Sequence, residues 1–300
     1  MSPRRGCGYA GRVNARTPVP LWVRALQKVD RIAWATYRAQ EVVRDEVLLA
    51  WLDPGLRDAV TQQAYRSQDT YLPGGHHHEH GLFDWEETAL ANAPFPQPGR
   101  GAARWLVTAA GGGREARVLA SRGFEVEAFE PNDVLLAGAR EVASRHPSLR
   151  VHEGTYDDFV RAAAGRGGPL GSLLTRTFDA VLLGWGSITH LVDPTAHRAL
   201  LDAVKIAAPA APVLVSFFLR TDEPQGRAAR ARVRLKAAFR AIGGRAAPAG
   251  LLYETAGGFV YWFTEREVRA LAEAAGYIVV AFAPHPFPHA VLLPLGRATP

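Results

Sequence analysis

The run Ala109-Ala110-Gly111-Gly112-Gly113-Arg114-Glu115 follows a short apolar stretch and opens a helical pattern. Glycines at a strand-to-helix junction let a ligand approach the backbone, and the helix that follows offers N–H groups without intrahelical partners. Seventeen residues beyond Gly113, Glu130 ends the next apolar run and is followed by Pro131. A carboxylate in that position can accept hydrogen bonds from both hydroxyls of a ribose. The same glycines satisfy the spacing GxGxxA (Gly111, Gly113, Ala116), which suits a pyrophosphate at a helix N-terminus. A nucleotide-derived ligand is therefore expected at residues 107–132, with its kind left open.

Two further groups of residues could do chemistry. His190 lies a few residues past an apolar run at 178–183. Open α/β sheets bind ligands at the carboxyl ends of their strands, and an imidazole there suits proton acceptance; the alternative is a histidine packed locally at a helix start. The cluster Gly74-Gly75-His76-His77-His78-Glu79-His80 precedes Trp85. Its spacing fits no metal motif, so no metal is expected. The sequence leaves two readings, an exposed polar loop or a contact to substrate or cofactor by one or two of the histidines, with His78, His80 and Trp85 as the substrate candidates.

The elements that must position these residues follow from periodicity. Trp22, Leu26, Val29, Ala33, Tyr37 and Val47 recur at helical spacing within Leu21–Trp51, which predicts a long helix with that face buried. Asp53-Pro54-Gly55 ends it, and a second helix is expected over 56–65. Beyond Pro/Gly-rich 93–101, short apolar runs alternate with helical segments, the pattern of a parallel sheet with crossover helices. Strands are expected at 104–108, 125–129, 150–152, 178–183 and 212–217, with helices near 114–121, 132–145 and 194–206. Thr264 and Glu267 mark the start of a last helix, followed by strands at 278–283 and 289–293 with no helix between them. The predicted fold is α/β: a Rossmann-like, mostly parallel seven-stranded sheet with an antiparallel last strand, helices on both faces and an N-terminal helical cap. Three segments are expected: a leader at 1–20, the cap with its His-rich loop at 21–98, and a catalytic domain at 99–300.

Within the last of these, 222–258 reads as a basic insertion. Arginines at 227, 230, 232, 234 and 240 accompany Ala229, Val233, Ala237 and Phe239, so an amphipathic cover helix is expected, with an anion-recognising lid as the alternative. Phe239 is the only aromatic among them, and no interleaved aromatic series for base stacking is present, which argues against nucleic acid.

Composition sets the outer limits. The chain has 300 residues, of which 48% are hydrophobic, and a net charge of +6. That length and apolar content bury a full core. The single cysteine, Cys7, allows no intrachain disulfide, and the leader lacks an apolar export segment, so a cytoplasmic protein with no membrane partner is expected.

The stretch from Val107 to Asn132, VTAAGGGREARVLASRGFEVEAFEPN, resembles motifs I and II of class I S-adenosylmethionine-dependent methyltransferases. Ala109, Gly111 and Gly113 fall on the family's three glycine positions, with alanine replacing the first. Val107 stands where the family often carries an acid near the end of strand one. EGTYDDF (153–159) resembles the segment that walls the adenine pocket, FDAVLLGWGSITHL (178–191) resembles motif IV, and FTEREVRALAEAAGY (263–277) resembles the helix before the terminal strand pair. GLFDWEE (81–87) matches a segment that precedes motif I in related bacterial sequences.

The resemblance implies S-adenosyl-L-methionine as cofactor and a small-molecule acceptor with an O or N nucleophile. It implies cofactor contacts from Ala109, Ala110, Gly111, Gly113, Glu130, Pro131, Tyr156, Asp157, Gly184 and Trp185, the indole walling the sulfonium, with His190 as base. Two other functions remain open from the residues alone: a nicotinamide-dependent oxidoreductase, or a cofactor-binding module without activity.

Overall fold

A computed structural model describes residues 20–99, 103–221 and 226–296. Residues 1–19 of the leader, the end of the stretch at 93–101 and the start of the basic insertion, including the Arg227 side chain, lie outside the described residues.

The chain begins with helix α1 (Leu21–Trp51). The helix spans the expected residues, but its apolar face is not buried: Trp22 is 66% exposed, Val29 61% and Tyr37 50%. What packs instead is its C-terminal half, through Val42, Asp45, Glu46, Leu49 and Ala50. Helix α2 (Pro54–Arg66) follows, with Asp53 capping through Gly55 N at 2.9 Å and proline in its first turn. The expected His-rich loop is a short helix, α3 (His76–His80), entered from Gly75. Helix α4 (Asp84–Asn92) then leads towards the sheet.

The main sheet is built from β1 (Arg104–Thr108), β2 (Glu125–Glu130), β3 (Leu149–Glu153), β4 (Ala180–Leu183) and β5 (Val213–Ser216). The crossovers are α5 (Arg114–Ser121), α6 (Asp133–Ser144), α7 (Tyr156–Ala163) and α8 (Pro194–Ala207). Wholly buried runs such as Arg104–Thr108 and Ala180–Leu183 show why the strands read as continuous apolar stretches: helices cover both faces.

The basic insertion carries helix α9 (Gly226–Ala241) and strand β7 (Leu251–Glu254); with β6 (Phe218–Leu219) before the expected bounds and β8 (Gly258–Phe263) running past them, β7 forms a separate sheet in the order β6-β8-β7. Helix α9 lies against α1, where Arg232 pairs with Asp45 at 2.7 Å and Glu46 at 3.2 Å. The insertion thus folds back on the cap.

Helix α10 (Glu265–Ala274) starts with the expected reciprocal cap: Thr264 N donates to Glu267 Oε2 at 2.7 Å and Glu267 N to Thr264 Oγ1 at 3.1 Å. Strands β9 (Tyr277–Ala283) and β10 (His289–Pro294) close the chain. The seven-stranded order is β3-β2-β1-β4-β5-β10-β9, and only β10 runs antiparallel to its neighbours. Chain order reverses direction between β1 and β4, which makes their carboxyl ends the ligand-binding crevice of the sheet. No helix among the described residues is long and apolar enough to cross a membrane.

Candidate functional site

A cleft opens at that reversal, with an empty volume of about 730 Å³ including open solvent. Its floor is the loop after β1. Ala109 (φ +46°), Gly111 (φ +56°) and Gly113 (φ +90°) all adopt left-handed backbone conformations, so the loop needs its glycines for shape as well as for access. Gly112 is held closely: a Cβ there would meet the Tyr71 carbonyl oxygen. Behind that floor Gly184, just after β4, donates its N–H to Thr108 O at 2.9 Å, with no room for a Cβ against the Thr108 and Ala109 carbonyls.

Glu130 ends β2 inside the cleft wall at 4% exposure. Its Oε2 accepts from Gly111 N and its Oε1 from Asn132 N, both at 2.8 Å. Burial raises its carboxyl to about 7, the two N–H donors oppose the shift, and the charge of Glu115 adds to it. Each oxygen keeps a lone pair that a ligand hydroxyl can use. Asn132 caps α6 through Val134 N and donates Nδ2 to Gln62 of α2 at 2.9 Å, tying the helical cap to the cleft.

Of the residues expected at the cofactor, Ala109, Ala110, Gly111, Glu130 and Trp185 line the cleft, and His78 and His190 join them. Gly113 stands behind the loop against Ala139. Pro131 and Gly184 are likewise absent from the lining. Tyr156 is turned inward: its hydroxyl bonds Thr108 Oγ1 at 3.0 Å and Ser187 Oγ, so it braces the loops after β1 and β4. Asp157 is 81% exposed and pairs with Arg161 at 3.6 Å, outside the cleft.

The residues expected at the substrate separate in the same way. His78, buried at 2%, reaches the cleft. His80 lies against Phe83, and Trp85 packs on Phe287 and His289 beneath the site. Among the described residues no three His, Cys, Asp or Glu side chains converge on a metal position.

His190 is in the cleft, but its lone pair is taken. Nε2 lies 2.8 Å from Tyr65 Oη, and Nδ1 lies 3.4 Å from the Phe259 carbonyl. Desolvation depresses the imidazole to about 4, so it is neutral, and drives the Tyr65 hydroxyl well above the usual phenol range. His190 Nε2 is thus engaged by the Tyr65 hydroxyl, and both side chains line the cleft.

Sequence reasoning missed the wall supplied by α2 and the turn after it: Thr61, Gln62, Tyr65 and Tyr71. Tyr71 meets Trp185 edge-on at 6.1 Å and stacks on His77 at 5.5 Å, forming an aromatic side to the cleft. It also missed Arg114 and Glu115, which line the cleft from the first turn of α5 although they stand directly after the glycines. An acid one residue into a helix after a glycine loop was the available signal.

No family model matches the chain, and no curated protein matches it. Among solved structures the chain is similar to a SAM-dependent methyltransferase from Methanosarcina mazei, at 16% identity over 72% of this chain and 99% of that one, with a TM-score of 0.49. It is similar to the glycopeptide N-methyltransferase MtfA, at 17% identity over 69% and 91%, with a TM-score of 0.47. It is also similar to CalS10, an amino pentose methyltransferase from Micromonospora echinaspora, at 19% identity over 71% and 97%, with a TM-score of 0.44. At these identities the likeness is one of fold.

Proposed function

We propose that the cleft binds S-adenosyl-L-methionine and that the protein is a methyltransferase acting on an O or N nucleophile of a small molecule. The observation that carries this reading is the charge of the cleft. The Gly111 amide, which a pyrophosphate would need, is spent on Glu130, and Glu115 lines the same floor. Two phosphates placed there would face two carboxylates. A ligand with a ribose diol and cationic groups meets complementary partners instead.

In this reading Glu130 accepts from the ribose hydroxyls, the 109–113 loop lies under the amino-acid end, and Tyr71 with Trp185 walls the sulfonium side. The bound cofactor supplies an electrophilic methyl group. A proton released on methyl transfer would pass to the Tyr65 oxygen while that hydroxyl's proton moved to His190 Nε2. Most of the rate is expected from holding the nucleophile in line, worth about 7–11 kcal/mol in well-oriented systems.

Isothermal titration with S-adenosylhomocysteine and with NAD tests the cofactor. Binding of the former and not of the latter is expected; tight binding of NAD alone overturns the reading. Incubation with methyl-labelled cofactor and small-molecule extracts then tests transfer, and cofactor binding without any labelled product would leave a binding module.

A further inference from the structure

Beside the glycine loop three ionisable groups are packed together out of solvent: Glu86 at 0%, Glu115 at 3% and Arg114 at 5% exposure. Arg114 Nη1 donates to Glu86 Oε2 and to the Gly81 carbonyl, both at 2.6 Å, while Nη2 donates to Glu86 Oε1 and Glu115 Oε1, both at 2.7 Å. The guanidinium also lies over the Phe83 ring at 4.2 Å. All four terminal N–H donors are thus committed within the protein, and Arg114 has none of them left for an anionic ligand.

Two carboxylates share one guanidinium, so the triad carries a surplus negative charge. Glu86 is enclosed by Arg114 and by the Phe83 amide, which donates to its Oε2 at 2.7 Å. The surplus therefore falls on Glu115, which lines the cleft. Its Oε1 accepts from Arg114 and from Trp185 N at 3.3 Å, whereas its Oε2 accepts no hydrogen bond from the described residues. The other charged groups on the cleft wall are Arg114, already committed, and Glu130, which is itself an acid. That oxygen is the position at which a cation brought by a ligand can pair with the surplus charge, and among the described lining residues no side chain other than the committed Arg114 supplies one.

We propose that Glu115 is the receptor for the ammonium group of the cofactor's amino-acid end, held in place by Arg114 and Glu86 as positioning residues. The proposal rests on the reading of the cleft as an S-adenosylmethionine site. Strand β1 brings no acid to the loop, Val107 being fully buried in its core; the charge comes from the first turn of α5 instead, one residue past the glycines. The arrangement selects a ligand that carries a primary ammonium next to a nucleoside.

The test uses two ligands that differ only in that end: S-adenosylhomocysteine, and 5′-methylthioadenosine, which keeps the nucleoside and thioether and lacks the amino acid. Affinities are measured by titration calorimetry on the full chain and on Glu115→Gln. The variant is expected to lose roughly 10- to 100-fold in affinity for S-adenosylhomocysteine, the range of one charge-assisted contact, and to bind methylthioadenosine as the parent does. Equal losses for both ligands, or none for either, overturn the proposal. The ligand-free melting temperature is the second readout. Glutamine leaves Arg114 and Glu86 as a balanced pair, so the variant should melt no lower than the parent; a markedly lower melting point or failure to fold assigns Glu115 a structural ion-pair role and overturns the proposal as well. A parent chain that binds neither ligand removes the cofactor reading itself, an outcome distinct from a failure of Glu115.

Discussion

Tyr65 Oη lies 2.8 Å from His190 Nε2, joining the helical cap to the turn after β4 across the cleft. The Phe259 carbonyl near Nδ1 has no proton to give, so Nδ1 carries the hydrogen and Nε2 accepts from the tyrosine. This fixes the direction of the relay: a proton reaching the tyrosine oxygen can be passed to the imidazole without moving either ring.

Removing the tyrosine hydroxyl takes away the hydrogen-bond partner of a desolvated nitrogen. Tyr65→Phe is expected to cost about 1–2 kcal/mol in urea unfolding, the range for an unsatisfied buried polar atom. His190→Phe should cost a similar amount, and the double variant less than the sum of the two. Strict additivity would mean that the hydroxyl and the imidazole do not interact.

Two desolvated histidines make the fold sensitive to acid. His190 and His197 are both held near 4 by desolvation, against 6.5 for an exposed imidazole. Between those values the unfolded chain binds protons that the folded chain refuses, so stability is complete above about pH 6.5 and falls as pH drops towards 4. Each site contributes at most about 3 kcal/mol to that loss. In His197→Gln the amide can still donate to the Leu191 carbonyl, which the imidazole reaches at 2.7 Å. The variant should lose stability at pH 7 and show a shallower decline between pH 6.5 and 4.5. Urea midpoints at several pH values check this, and an unchanged slope would assign the acid lability elsewhere.

The long elements were legible because their causes are local. β1 and β4 are buried along their whole length, so their apolar runs stand out, and the Thr264–Glu267 cap is written within four residues. The buried face of α1 was not, because Asp45 and Glu46 pack there by pairing with Arg232, 186 residues away from Glu46. Periodicity picked the Trp22–Val29–Tyr37 stripe instead, which faces outward. The β7–β8 hairpin did carry a signal, the turn residues Thr255-Ala256-Gly257-Gly258 before the run Phe259–Phe263, but the preceding arginines dominated the reading. At the site, Glu130 and the glycine loop were readable from spacing. Tyr65 was not: it is one polar aromatic on an amphipathic helix, and only the fold brings it to His190, 125 residues on.

Glu130 makes ligand binding depend on pH. Burial raises its carboxyl to about 7, and ribose hydroxyls donate best to the ionised form. Affinity for S-adenosylhomocysteine should therefore rise from pH 6 to pH 8, by up to about tenfold per unit below pH 7, and level off above. In the ligand-free protein the sign is opposite: between about 4.5 and 7 the folded state holds a proton that the unfolded state has released, so this group lowers stability as pH rises. Glu130→Ala should bind more weakly and with no such pH dependence. Calorimetry at pH 6, 7 and 8 on both proteins tests the pair of claims, and an equal slope in the variant would detach the effect from Glu130.

The backbone of the glycine loop predicts opposite signs for two small changes. Ala109 is held at φ +46°, where an L side chain is strained by about 1–2 kcal/mol. Glycine relieves that strain but adds freedom to the unfolded chain, worth about 0.4–1 kcal/mol, so Ala109→Gly should leave stability unchanged or raise it by up to about 1 kcal/mol. Gly113 sits at φ +90°, and a Cβ there would lie 3.3 Å from Ala139 Cα, a backbone atom of α6 that cannot swing away. Gly113→Ala adds dihedral strain and a contact with an unyielding neighbour, for a loss of about 1–3 kcal/mol. Thermal unfolding of the two variants separates them. If Ala109→Gly destabilised as much as Gly113→Ala, the methyl group of Ala109 would have to be a packing contact that outweighs its backbone strain.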